Sequence, residues 1–510
     1  MQQLEKYIPK LLFITIIIVT LTKLSLIGEG FMAFPDESRY IPSGEVLESL
    51  AHFDIKGAAA NLNATQGRPG ETFIKIIPSA VQYTSAELLG METYESANSY
   101  PLFLFNFIIY CLLLILLYKI AILLLKDRVL ALFSVLLYCC LINSYIYMRH
   151  TLPYDCSLLI MGFALLQVLK ATINNDFDVK KMLFLGFTAF FGYVIYPGYV
   201  LLFGLVFIIL MINRLTKENL LSRIKYAVFY GIGSVICLLL FEVIARIGNT
   251  SYIQDSITLS KTITQGDFKE SFSFLFKYLY HVEYINGILL IIGLIVFIST
   301  LLYNIFKRKA LTSIHKLFIV TALLFLLYAS AGYFFHKMIW YGRLLHQFIF
   351  ILTLITAYSF GYLSQNIKYK NLVISCISCI AMMTFTLNII EYKSYAYPKD
   401  IVWKIENTTS YNDLIEVCEH DDSWSIMAYI NSKHKPVVTA DNIVLINGCY
   451  FYPLEHIESY NPFIANDNEK LILVKPHFIN YKAYQYEGYN IIERQNIDSL
   501  KLKIKVYTTK

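Results

Sequence analysis

Charge is scarce in this sequence. Asp, Glu, Lys and Arg make up 16% of the 510 residues and hydrophobic types 56%, whereas a soluble globular domain carries charge at about a quarter of its positions and apolar residues at about half. The mean hydropathy of +0.53 exceeds what an ordinary core needs, and it is unevenly spread. Apolar runs of membrane-spanning length recur from Leu11 to about Ile390, and the last ~120 residues are polar and mixed. A wholly soluble protein is therefore excluded, and two regions are expected: 1–390 in the membrane and 391–510 soluble. The net charge of +6 does not point to nucleic acid, because Lys and Arg collect beside the apolar runs, as topology signals do.

Cysteine is sparse where it could carry chemistry. Cys111, Cys139, Cys140, Cys156, Cys237, Cys376 and Cys379 lie in or beside apolar runs, where cysteine behaves as a small hydrophobe. Cys376 and Cys379 spell CxxC, but inside such a run. Only Cys418 and Cys449 fall in the polar tail, where a disulfide between them is an option if the tail lies outside the cytoplasm. A small-x-small cleavage site is missing after the N-terminal apolar stretch 11–27, which follows Lys6 and Lys10; the stretch reads as an uncleaved first span with its N-terminus inside. No internal repeat is present.

About 20 apolar residues cross the hydrocarbon core as a helix, and about eleven segments qualify: 11–27, 101–118, 129–147, 155–170, 182–195, 199–213, 226–245, 284–305, 317–335, 344–365 and 371–390. The fifth and sixth are the shortest and are joined only by a turn at Tyr196, Pro197 and Gly198. With the N-terminus inside, alternate short loops carry Lys119, Lys126 and Arg128; Lys170, Lys180 and Lys181; Arg214, Lys217, Arg223 and Lys225; Lys307, Arg308, Lys309 and Lys316; and Lys368 and Lys370, as the positive-inside rule requires. The opposite loops are longer and poorer in Lys and Arg. They comprise a first loop, 28–100, rich in Asp and Glu, a loop at about 248–283, and the tail, where β-rich runs at 435–439, 471–474 and 500–507 alternate with helical or turn-like pieces, as in a small α/β domain. Long loops are more often functional than idle.

Four clusters at the expected outer boundary could carry chemistry. Phe34-Pro35-Asp36-Glu37-Ser38-Arg39-Tyr40 follows the first span; a carboxylate there could take a proton from an acceptor hydroxyl, or Asp36 could cap a helix. Met148-Arg149-His150-Thr151-Leu152-Pro153-Tyr154-Asp155 lies between two spans. Arg149 there could be a snorkelling residue and Asp155 an N-cap, or the pair could be functional. His336-Lys337-Met338-Ile339-Trp340-Tyr341-Gly342-Arg343 places cations where the positive-inside rule expects none. Arg343, Lys337 and His336 could grip a lipid-linked phosphate, the alternative being headgroup anchoring with Trp340 and Tyr341 in the aromatic belt. Arg68-Pro69-Gly70 in the first loop could orient a substrate or make a turn. Glu242 and Arg246, four residues apart near a span end, read as a structural pair.

Together these clusters resemble the membrane-embedded glycosyltransferases of the GT-C fold, close to protein O-mannosyltransferases and the lipid A aminoarabinose transferase. Asp36-Glu37-Ser38-Arg39-Tyr40 matches the Asp-Glu-x-x-Tyr pattern of that family's first loop. Arg149 with Leu152, Pro153 and Asp155 is similar to its second-loop motif, and Arg343 falls where the family has a phosphate-contacting arginine. The departures are local: His150 and Thr151 separate Arg149 from the Leu-Pro-x-Asp stretch, and Tyr341 to His346 matches the late motif only in part.

The resemblance implies a mainly α, polytopic bundle of GT-C type with a small extracytoplasmic α/β domain, multi-pass in the cytoplasmic (inner) membrane. It implies an enzyme that moves a sugar, with inversion, from a polyprenyl-phosphate donor to an acceptor hydroxyl on a lipid, glycan or protein. Asp36 would be the general base and Glu37 and Asp155 would orient the site. Arg343 and Lys337, with His336 and Arg149, would stabilise the leaving phosphate, and Tyr40 and Arg68 would contact substrate. Neither a cofactor nor a metal is expected, although the acidic outer loops leave room for a divalent cation. The competing readings are a transporter or flippase for lipid-linked glycans, and a polysaccharide polymerase or ligase using diphosphate donors. The many spans and outer charges fit a transporter too, but no related halves or paired broken helices are visible.

Overall fold

The computed structural model describes residues 2–27, 39, 41–88, 100–145, 148, 152–212, 220–263, 272–335 and 342–392, with four short strands in the tail. The chain forms helices α1 (Gln2–Thr22), α2 (Ile41–Ala51), α3 (Ile55–Leu62), α4 (Pro69–Leu88), α5 (Tyr100–Leu125), α6 (Arg128–Cys140), α7 (Ile142–Tyr145), α8 (Tyr154–Asn174) and α9 (Val179–Ile195). It continues with α10 (Val200–Ile212), α11 (Leu220–Ile247), α12 (Tyr252–Ile263), α13 (Phe274–His281), α14 (Tyr284–Phe306), α15 (Ser313–Phe335), α16 (Gly342–Leu363) and α17 (Lys370–Tyr392).

This is a mainly helical, multi-pass membrane protein. Among the described residues each of the eleven apolar runs forms helix, and eight of the helices are long and apolar enough to cross a bilayer by themselves. The other three are short for a physical reason. At 1.5 Å per residue, α6 and α10, with 13 residues each, rise only about 20 Å, and α9, with 17, about 25 Å. The run 129–147 is interrupted at Leu141, whose extended backbone (ψ 138°) separates α6 from α7. As the sequence indicates, α9 and α10 are joined only by a single 3₁₀ turn at Pro197–Tyr199.

The core of the bundle is α6 and α16. Every residue of α6 from Val129 onward is buried. Among the eight long spans α16 has the lowest mean hydropathy, 1.6, and is the most enclosed, at 83%. Those two properties have one cause: polar side chains are costly toward lipid and tolerated toward protein, where they find partners. Gln347 Oε1 accepts the amide of Leu202, and Ser359 Oγ donates to the carbonyl of Gly293. By contrast α11 turns Ile224, Val228, Val235, Leu239 and Val243 outward, as a helix at the lipid surface does.

The first long loop is not loose. Asp54 caps α3 by accepting from the amide of Gly57, 2.8 Å. A Cβ on Gly248 would meet the backbone of Ala59 and Ala60, and one on Gly70 the backbone of Val194 and Ile195. So α3 lies against the end of α11 and α4 against the end of α9. Gly67, at φ +67°, abuts Leu259 and the carbonyl of Asp255 in α12, a conformation that favours glycine. The loop thus caps one end of the bundle.

In the tail, Cys449–Tyr452 pairs antiparallel with Leu473–Pro476, and Tyr484–Tyr486 with Tyr489–Ile491. The run expected at 471–474 overlaps one of these strands. Those at 435–439 and 500–507, and Cys418 with its expected pairing to Cys449, lie outside the described residues.

Candidate functional site

Five helix ends meet at the capped end of the bundle, and the contacts among them are polar. Asp155 stands in the first turn of α8 and is 4% exposed. It does not cap that helix: the N-cap position is Pro153, and the carboxylate is turned sideways. Asp155 Oδ1 lies 2.7 Å from His346 Nε2, on the second turn of α16. The other ring nitrogen, Nδ1, is 2.8 Å from Asn143 Oδ1 in α7. Asn143 Nδ2 donates to the Tyr278 hydroxyl in α13, 2.9 Å, and that hydroxyl donates to Glu283 Oε1, 3.3 Å.

Glu283, fully buried just before α14, accounts for the break between α6 and α7. A helix that restarts inside a bundle exposes N–H groups that must be satisfied. Glu283 Oε2 accepts from the amide of Ile142 at 2.7 Å and Oε1 from that of Asn143 at 2.8 Å. The same turn of α7 reaches the end of the first span, where Lys23, also fully buried, donates to Tyr110 Oη and, at 3.3 Å, to Ser144 Oγ. Its ammonium lies 4.4 Å from the Tyr110 ring and 4.9 Å from that of Tyr145, within cation–π range. Lys23 and Glu283 therefore place opposite charges on the two flanks of α7.

Aromatic rings wall the site. Tyr138 and Tyr199 each lie 6.3 Å from the imidazole of His346. Tyr154 packs edge-on against Tyr196 at 4.5 Å, and the guanidinium of Arg68 lies over Tyr196 at 5.4 Å. Arg68 thus reaches the rim of the Asp155 site through two tyrosines, and its backbone also makes the turn into α4, accepting from Glu71 N and donating to Thr65 O. Among the described residues, three buried oxygens beside His346 lack a hydrogen-bond partner: Asp155 Oδ2, Tyr138 Oη and Tyr199 Oη. Buried polar atoms are nearly always partnered, so three of them around one imidazole make this a candidate place for a polar ligand.

The other sequence candidates divide by position. Arg343 is the second residue of α16, three positions before His346; only its backbone is described. Asp36, Glu37, Tyr40, Arg149, His336 and Lys337 lie outside the described residues. Glu242 and Arg246 form the expected i,i+4 pair at 2.6 Å, and Glu242 also accepts from Ser251 Oγ and the amide of Ile253 at the start of α12. Cys376 and Cys379 are exposed on the surface of α17. Among the described residues no three His, Cys, Asp or Glu side chains gather as metal ligands do.

Sequence reasoning missed His346, Glu283, Asn143 and Lys23 as members of one network. The available signal was an ionisable residue inside or bordering an apolar run, which marks a site by default. Immediately beyond Arg343, an apolar cavity of about 220 Å³ lies among α13, α14, α15 and α16, lined by Leu345, Phe348, Ile349, Phe318, Phe325 and Ile298.

No family model matches the chain, and no curated protein matches it. Among solved structures it aligns with an oligosaccharyltransferase of Archaeoglobus fulgidus, crystallised with Zn and sulfate, at 12% identity and a TM-score of 0.35. The alignment covers 71% of this chain and 50% of that one, so this chain spans about half the length of the protein it matches. A likeness of that strength assigns no activity to this chain.

Proposed function

We propose that the chain is a membrane glycosyltransferase of GT-C type, which takes its sugar from a polyprenyl-phosphate carrier and delivers it to an acceptor hydroxyl at the capped end of the bundle. One observation carries this reading: the 2.7 Å contact between Asp155 and His346, residues 191 apart in sequence. It brings the start of α8, which carries Asp155, to the start of α16, which carries Arg343, and so supports a site that draws on both motifs. Lys23 belongs to the same network, and the chain leaves it toward Asp36 thirteen positions later.

In this mechanism the phosphate of the donor sits at the start of α16, held by Arg343 with Lys337, His336 and Arg149. The developing negative charge on the leaving phosphate is met by fixed cations there. The apolar cavity behind Leu345 receives the first part of the prenyl chain. Asp36 removes the proton from the acceptor hydroxyl, Glu37 and Asp155 orient the acceptor, and Tyr40 and Arg68 contact the sugar. Attack opposite the leaving phosphate inverts the anomeric centre. The capped end faces out of the cytoplasm, with the N-terminus on the cytoplasmic side of the inner membrane.

The test is incubation of membranes holding wild type or Asp36→Asn with a labelled polyprenyl-phosphate sugar. Transfer by wild type and its loss in Asp36→Asn support the reading, and equal transfer by both removes Asp36 as base. The buried charges of Lys23, Asp155 and Glu283 are the feature that would favour a flippase. Movement of a labelled lipid-linked glycan across vesicles without sugar transfer would establish that alternative, and a requirement for a diphosphate donor would indicate a polymerase or ligase.

A further inference from the structure

We propose that His346 is the positioning residue of the site, holding Asp155 so that one carboxylate oxygen, Oδ2, is presented to the substrate. The proposal rests on the glycosyltransferase reading above and adds to it a residue that the family resemblance does not supply. The chain of hydrogen bonds starts at Glu283, whose carboxylate can only accept the two amides of α7. The Tyr278 hydroxyl has one proton, which is committed to Glu283 Oε1, so toward Asn143 it accepts. Asn143 therefore turns its amide nitrogen to Tyr278 and its carbonyl oxygen to His346.

A carbonyl oxygen cannot donate, so His346 Nδ1 must carry a proton. That leaves Nε2 alone to face Asp155, and Nε2 and Oδ1 share a proton across 2.7 Å. The ring cannot flip without placing a carbon against Asn143 or Asp155. It is confined besides by the rings of Tyr138 and Tyr199. Each step fixes the next, from a backbone break to the rotamer of one carboxylate. What remains without a partner among the described residues is Asp155 Oδ2, together with the hydroxyls of Tyr138 and Tyr199, whose rings border the same imidazole. Three oxygens in that arrangement suit a hydroxyl-bearing ligand such as a sugar: the carboxylate accepts, and each phenol can donate or accept.

Two isosteric variants separate positioning from mere support. In His346→Gln the amide nitrogen replaces Nε2 and restores the bond to Asp155, whereas in His346→Asn it replaces Nδ1 and restores only the bond to Asn143. Measured with a labelled polyprenyl-phosphate sugar, His346→Ala should lose kcat on the order of a hundredfold with the donor KM little changed. His346→Gln should recover most of that loss and His346→Asn little of it. Equal recovery by both, or greater recovery by His346→Asn, would overturn the positioning role while leaving the glycosyltransferase reading intact. Absence of transfer by wild type would bring down both. A second measurement needs no active variant: in ¹⁵N-histidine NMR of the wild-type protein, the His346 signal should keep Nδ1 protonated over the whole pH range in which the chain is folded. A bare Nδ1 would overturn the proposal.

Discussion

Glu283 ties three helices, α7, α13 and α14, together through one side chain. Its two oxygens take the first two amides of α7 and the hydroxyl of Tyr278, with no exposure to solvent. An ionised carboxylate in that position is stabilised by the donors it faces, and the donors in turn depend on it. Glu283→Gln replaces an acceptor pair with one acceptor and one donor, which points an N–H at an N–H. The expected outcome is a loss of about 1–3 kcal/mol, read as a lower unfolding temperature in detergent and a shift of the His346 NMR signal. Unchanged stability would mean that the break at Leu141 is held by packing alone. At this scale Asp155 was legible in the sequence, because it sits with Arg149 at the edge of an apolar run. His346, Glu283 and Lys23 were not, because a single sequence names no partners and their long-range pairings span 87 to 203 positions.

Helices in a membrane approach each other most closely where small residues remove the side chain between them, and α9 and α11 use this device twice. A Cβ on Gly186 would overlap the carbonyl oxygen of Tyr230, and one on Gly233 that of Leu183. Ser234 Oγ donates to the carbonyl of Gly186 at 3.0 Å across the same seam. Since the obstructing atoms are backbone, they cannot move without moving a helix. Gly186→Val should therefore lower the yield of folded, monodisperse protein sharply, whereas Gly231→Val, at a position with open space around the Cβ, should not.

The opposite end of the bundle has its own tie. Asp127 caps α6 through the amides of Val129 and Leu130 and receives Lys370 Nζ at 2.7 Å from the start of α17. Partial burial alone would raise its carboxyl, but Lys370 and the two amides outweigh burial and hold it below the ordinary value. A carboxyl lowered on folding contributes stability that is present at neutral pH and lost as pH falls through the folded value. Below about pH 4 wild type should approach Asp127→Asn in thermal stability, and the two should diverge at pH 7. At this scale the eleven helical segments and the α9–α10 turn were readable from hydropathy and Pro197. The division of the third run was not, because its cause is a carboxylate from a distant loop rather than a local breaker.

Across the whole molecule, the network of Lys23, Asn143, Asp155, Glu283 and His346 gathers helix ends that the alternation of basic loops assigns to one side, and Asp127–Lys370 joins two loops it assigns to the other. This internal agreement gives topology a direct test. In a background without reactive cysteines, Phe53→Cys, at a position 89% exposed between α2 and α3, should react with a membrane-impermeant maleimide in intact cells. Arg308→Cys, in the turn between α14 and α15, should react only after permeabilisation, and the reverse pattern would invert the protein. The set of membrane helices was legible from hydropathy because that is a local property. The site was legible only as separate motifs, since its assembly depends on contacts between distant segments.

Catalysis as proposed requires the Asp36 loop and the Arg343 turn to face one cavity floored by Asp155 and His346. Cross-linking of Asp36→Cys with Arg343→Cys by a short bifunctional thiol reagent, in native membranes, measures this most directly, with Asp127→Cys/Lys370→Cys as the positive control. A shared cavity predicts that both pairs cross-link and that a polyprenyl-phosphate sugar protects the first. Efficient cross-linking of the control with none between positions 36 and 343 would contradict it.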